Sequence, residues 1–85
     1  MEKRIGAIAI VVTDTSSVNK INEILSNHAS LIIGRMGIPR KDKSLNIISL
    51  IVEGNTDDLG SLTGKLGRIS GVEAKSVLTK YKEES

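Results

Sequence analysis

Apolar positions along the chain fall into extended runs separated by two helical stripes. Ile5–Val12 is rich in β-branched residues and stops at Thr13-Asp14-Thr15-Ser16-Ser17, a cluster of turn and N-cap residues, so it reads as a first strand. Val18, Ile21, Ile24 and Leu25 recur at spacings of three and one, which predicts a helix from about Ser17 to Asn27. Leu31–Met36 reads as a second strand. Gly37-Ile38-Pro39-Arg40-Lys41-Asp42-Lys43-Ser44 reads as a turn, because Pro39 has no amide donor and biases Ile38 toward extended geometry. Leu45–Val52 is a third strand. Gly54-Asn55-Thr56 stops it and caps a second helix with Asp57 and Asp58 in its first turn and Leu59, Leu62 and Leu66 as its apolar stripe. Gly67 to Gly71 ends that helix, Val72–Thr79 is the last strand, and Tyr81–Ser85 is a polar tail expected to fray.

The predicted order is β-α-β-β-α-β. That is the α+β ferredoxin-like sandwich, a four-stranded antiparallel sheet with two helices on one face. One domain over residues 1–80 is expected, followed by the tail at 81–85. The first and third strands should be central. A sheet covered on one side only should alternate apolar and polar positions. Here Ile5, Ala7, Ala9 and Val11 face one way and Ile8, Ile10 and Val12 the other, and Leu45, Ile47 and Ile51 oppose Ile48, Leu50 and Val52. Both central strands are thus apolar on both faces. An open apolar sheet face is an aggregation hazard, and a second copy packed on it, or sheets joined edge to edge, would remove it. The row Ile8, Ile10, Val12 with Ile48 and Leu50 is the expected interface of a homo-oligomer, a dimer or tetramer.

Size points the same way. An 85-residue chain buries only roughly 60% of its unfolded surface, and chains this small usually need disulfides, a metal or oligomerisation. With no cysteine, disulfides and thiolate metal sites are excluded. No apolar run approaches the ~20 residues of a bilayer span. Met1–Arg4 followed by Ile5–Val12 mimics a signal peptide but lacks a small-residue cleavage site, so a cytoplasmic protein without a membrane role is expected. A net charge of +2 does not by itself argue for nucleic acid.

Catalytic chemistry leaves little trace. His28 sits at the end of the first helix, where an imidazole interacts with the helix dipole. Asp57 and Asp58 suit a helix start better than an acid–base pair. Gly60-Ser61-Leu62-Thr63-Gly64-Lys65 is one residue short of a Walker loop and lies within a helix. RNA-recognition modules of this topology stack bases on aromatic residues, and the central strands have none. The exposed helix faces offer few basic or amide side chains for reading DNA. No enzyme activity, cofactor or metal is expected.

Two constellations remain. Gly60, Gly64 and Gly67 lie about 145° around the helix from its leucine stripe, where bare backbone admits a neighbouring subunit or ligand; alternatively, Gly67 is a C-cap and the others are tolerated defects. Gly34-Arg35-Met36-Gly37 brackets an arginine with two glycines on an otherwise apolar strand. Arg35 there could pair with an acidic group, bind an anionic ligand, or guard a solvated strand edge. The candidate ligand-binding set is Gly34, Arg35, Met36, Gly37, Pro39, Gly60, Gly64, Lys65 and Arg68, with the two segments forming one wall of a site.

Ile33-Gly-Arg-Met-Gly-Ile-Pro39, Asn46-Ile-Ile-Ser-Leu50, Asp57-Asp58, Leu62-Thr-Gly-Lys-Leu-Gly-Arg68, Gly71-Val72 and Lys75–Lys80 resemble the small ACT-like family of iron-only hydrogenase system regulators, over nearly the whole chain from Arg4 to Lys80. The resemblance implies an ACT-type fold and a role in regulating the maturation or expression of an iron-only hydrogenase. Amino-acid-sensing ACT domains carry an Asp-x-Pro-Gly turn after the first strand, whereas Asp14-Thr15-Ser16-Ser17 keeps only the Asp. The similar effector domain of nickel-responsive repressors binds metal through several histidines and a cysteine, a set this chain lacks. The expected function is a non-enzymatic effector-sensing module acting as a homo-oligomer, with a small-molecule effector as its partner. The alternatives are a structural protein that docks on a hydrogenase maturation partner, and a regulator that binds DNA directly, which is not expected of this chain alone.

Overall fold

The computed structural model describes residues 2–84. Its elements are β1 (Glu2–Val12), α1 (Val18–Asn27), β2 (Ile32–Arg40), β3 (Leu45–Gly54), α2 (Thr56–Gly67) and β4 (Val72–Glu84), with short 3-10 turns at Thr15–Ser17, Ala29–Leu31 and Lys41–Lys43. The sheet order is β2-β3-β1-β4, every pair antiparallel. The first and third strands are therefore central, as the pattern requires.

One layer of core lies between the sheet and the helices. Ile8, Ile10 and Val12 of β1 and Ile48, Leu50 and Val52 of β3 meet Ile21 and Leu25 of α1 and Leu59, Leu62 and Leu66 of α2. Each of these side chains is buried, and burying one contributes roughly 1.5–3 kcal/mol. This corrects the interface expected from the sequence: Ile8, Ile10, Val12, Ile48 and Leu50 form the core and cannot meet a second chain. The row left open is the other one, with Ile5, Ala7 and Val11 on β1 and Ile47 and Ile51 on β3. The cause is the two-sided apolar pattern itself. When both faces of a central strand can be buried, alternation does not say which row of side chains the helices cover.

Three boundaries also differ from expectation. β2 runs through Gly37-Ile38-Pro39-Arg40, and the turn starts only at Lys41. β2 is an edge strand, where a proline lacking its N–H costs no ladder bond on the open side. β1 begins at Glu2, and residues expected in the frayed tail extend β4 to Glu84, with Glu2–Arg4 paired to Lys82–Glu84; Ser85 lies outside the described residues. An irregularity between Arg4 and Gly6 separates these pairs from the rest of the ladder. Gly6 is needed there, because a Cβ would stand 2.5 Å from the Val77 carbonyl oxygen. The Thr79 hydroxyl donates to the Ile5 carbonyl at 2.7 Å beside it.

The start of α2 follows its cap, whereas the α1 N-cap Ser17 makes no side-chain cap bond. Asn55 accepts from the Asp58 amide at 2.7 Å, with Asp57 and Asp58 in the first turn of α2. The C-cap of α2 is Arg68, not Gly67. The left-handed glycine is Gly71, at φ +74°. Its neighbourhood ties the molecule's two halves together: Thr13 donates to the Gly71 carbonyl through its amide (2.8 Å) and its hydroxyl (3.1 Å), and the Ser17 hydroxyl donates to the Ser70 carbonyl at 2.7 Å.

Two glycine substitutions are expected to act in opposite directions. Gly71→Ala forces a left-handed conformation on alanine and puts a Cβ 2.5 Å from that of Asp14, so it should cost at least about 1–2 kcal/mol. A Cβ at Gly60 meets nothing within 4 Å, so Gly60→Ala should stabilise α2 by up to about 1 kcal/mol. Urea unfolding at one fixed protein concentration measures both.

Candidate functional site

β2 and α1 position the side chains with the most chemical potential. Cross-strand register places Arg35 opposite Leu50, Gly37 opposite Ile48 and Pro39 opposite Asn46, all on the helix side of the sheet. α1 covers the central strands there. Toward the β2 edge, the bare Gly37 leaves a cleft of about 270 Å³ lined by Val18, Asn22, Arg35, Gly37, Pro39, Asn46 and Ile48, with Ile38 and Ile47 beside them. A Cβ at Gly37 would meet nothing within 4 Å. The Arg35 guanidinium donates to Asn22 Oδ1 at 2.9 Å. Among the described residues it has no carboxylate partner, so the acidic pairing considered for it is not made within the chain.

The remaining candidates lie elsewhere. Gly34 and Met36 belong to the opposite, open face of β2, level with Ile51 and Ser49. Gly60, Gly64, Lys65 and Arg68 lie on or at the end of α2, which packs mainly over β4. β4 is three strand spacings, about 14 Å, from β2. The single wall expected from Gly34–Pro39 and Gly60–Arg68 is therefore not formed within one chain. Sheet order separates segments that the sequence alone leaves free to meet. Lys65 lines a different cleft, with Asn27, His28, Asp58 and Ser61.

Several titratable groups are engaged in local structure. His28 caps α1, its Nδ1 donating to the Ile24 carbonyl at 2.8 Å, and its Nε2 faces the Lys65 ammonium at 3.4 Å. Arg40 grips Asp42 with two hydrogen bonds of 3.1 and 3.0 Å, and this guanidinium holds the Asp42 carboxyl below its usual range. Asp14 Oδ1 accepts from the Ser16 hydroxyl at 2.6 Å and the Ser16 amide at 3.0 Å, bonds that lower its pKa in the same way. Among the described residues, no cluster of His, Asp or Glu could hold a metal ion, and no helix is long and apolar enough to cross a membrane.

A protein-family model named TM1266-like, described as "Iron-only hydrogenase system regulator, putative", matches residues 4–76. The chain belongs to the TM1266-like family. Among solved structures, uncharacterized protein TM1266 from Thermotoga maritima is similar to it with a TM-score of 0.87 and 38% identity over 92% of this chain and 99% of that one. The C-terminal domain of the MgtC protein from Mycobacterium tuberculosis shares the fold at a TM-score of 0.69 and 10% identity, covering 96% of this chain and 94% of that domain. A formyltetrahydrofolate deformylase from Pseudomonas putida shares it at 0.65 and 6% identity, over 91% of this chain and 29% of the enzyme. No curated protein matches the sequence.

In this TM1266-like chain, the sequence pointed to Arg35, Gly37 and Pro39 but not to Val18, Asn22, Asn46 and Ile48, which line the same cleft. They come from a helix and a neighbouring strand, and no spacing along the chain links them. Only the register of β2 on β3 and the position of α1 do so.

The turn after β1 yields a pH prediction. A carboxyl whose folded pKa is depressed adds stability above its unfolded pKa, and that stability is lost as pH falls through the folded value. Ser16→Ala removes the shorter bond to Asp14. The Asp14 pKa, followed by carboxyl NMR titration, should rise toward the ordinary value in the variant. The stability gap between native chain and variant should close as the solution is acidified.

Proposed function

We propose that this chain is a cytoplasmic, non-enzymatic regulatory module of an iron-only hydrogenase system that acts as a homo-oligomer responding to a small effector. The family supplies the regulatory context. The observation that carries the reading is the sheet face without helices. Ile51 is 44% exposed there, Met36 60% and Val77 70%. Ile51 and Val77 flank Ala7 in register, Met36 stands beside Ser49, and Ile47 lies between Val11 and the 48%-exposed Ile38, so exposed apolar side chains occur on all four strands of this face.

Such a face needs a cover, and a second copy suits it. It carries both signs of charge among its apolar positions, Glu73 and Lys75 on β4 and Glu53 on β3. Two copies related by a two-fold axis can thus set acid against base while the apolar centres meet. A small helix-covered core gains most from this arrangement. An oligomer also gives a regulator a means of response, because an effector that binds one assembly state better than another shifts the balance between them. Docking of the same face on a hydrogenase maturation protein is the second reading, favoured by the same exposed residues.

Native mass spectrometry and light scattering test the proposal. The unmodified chain is expected to be a dimer or tetramer at micromolar concentration. Ile51→Lys and Val77→Lys, each placing a charge on the open face at a position outside the core cluster, should give folded monomers. A native chain that is monomeric throughout, or lysine variants that assemble as it does, would overturn the homo-oligomeric reading.

A further inference from the structure

We infer that the cleft between α1 and the β2–β3 ladder binds a small aliphatic monocarboxylate, with Arg35 as its anchor. The inference deepens the regulatory reading above by naming the effector's chemical class, and it rests on that reading for its biological meaning only.

Four observations carry it. Arg35 uses one guanidinium nitrogen on Asn22 and meets no carboxylate in the described chain, so donors remain for a planar anion. A neutral amide partner orients the guanidinium without cancelling its charge. The surroundings are apolar: Val18, Ile48 and Pro39 line the same space, which suits a short branched hydrocarbon body. The room exists because Gly37 has no side chain where the neighbouring positions on that strand face, Arg35 and Pro39, both carry one.

The polar groups also say what the ligand lacks. No Asp or Glu lines the cleft, so an ammonium on the ligand would find only amide oxygens and would lie close to the arginine. That disfavours an amino acid relative to the matching acid without nitrogen. The Asn46 side chain makes no hydrogen bond among the described residues and borders the cleft, available to a second polar atom such as a hydroxyl or keto oxygen.

The test uses the full chain, with 4-methylpentanoate as probe against leucine, which adds an ammonium, and 4-methylpentanamide, which lacks the charge. Amide NMR spectra should show saturable shifts at Val18, Asn22, Arg35, Gly37 and Asn46 with the carboxylate below ~10 mM. Leucine and the amide should bind at least about tenfold more weakly. Arg35→Gln should weaken the carboxylate by a similar factor. Gly37→Val should abolish binding while the spectrum stays that of a folded protein, since the added side chain enters open space. The inference fails if the carboxylate gives no shifts at that concentration, if leucine or the amide binds equally well, or if either variant binds like the native chain. Absence of carboxylate shifts at the cleft, with leucine or another metabolite binding at a different place, would overturn this assignment and leave the regulatory reading standing. Carboxylate binding to a protein that proves monomeric would leave the cleft assigned and overturn the assembly.

Discussion

The molecule depends on one contact, the row of Ile8, Ile10 and Val12 beside Ile48, Leu50 and Val52 pressed against the leucines and isoleucines of two helices. Everything else is placed by it. The two strands that supply the row must be central and adjacent, which sends β2 and β4 to the edges. The helices must lie where they cover the row, so the outer parts of the edge strands are covered least. The cleft at Gly37 follows from α2 lying over β4 and leaving the β2 edge to α1 alone, and the reverse face of the sheet is bare because both helices lie on the other face.

The fold was legible because its signals are local and agree with one another. Asn55 and Asp57–Asp58 mark the start of α2 and its cap forms, and Asp14 caps the short turn that leads into α1. The leucine spacing in α2 and the β-branched run in β1 leave no rival assignment. What failed was information that local pattern does not hold. Gly37–Arg40 reads as a turn because Pro39 is a poor strand residue in general, yet an edge position removes the objection. Ile8 and Ile10 could have faced either way, since Ala7, Ala9 and Val11 are also apolar.

The candidate site was half legible for the same reason. An arginine between glycines on an apolar strand is visible in sequence, and it does sit beside a cleft. The second half of the expected wall, Gly60–Arg68, was joined to it only because both were unusual. Residues that are unusual for separate reasons need not be neighbours. In α2 the glycines lie on the side away from the leucines, and Cβ atoms at Gly60 and Gly67 would meet only open space.

The bonds from Thr13 to Gly71 and from Ser17 to Ser70 bear on how the chain reaches this state. They join residues 53 to 58 positions apart, and β1 itself pairs only with β3 and β4. β1 is thus made before both of its partners. Until residues beyond Ser70 have emerged, the most apolar strand lacks one flank and its following turn lacks its anchor. Loop closure over such distances is slow compared with helix formation. The growing chain therefore carries an unpaired Ile-rich segment until β3 has been made, a period in which nascent-chain crowding or a chaperone governs its fate more than its final stability does.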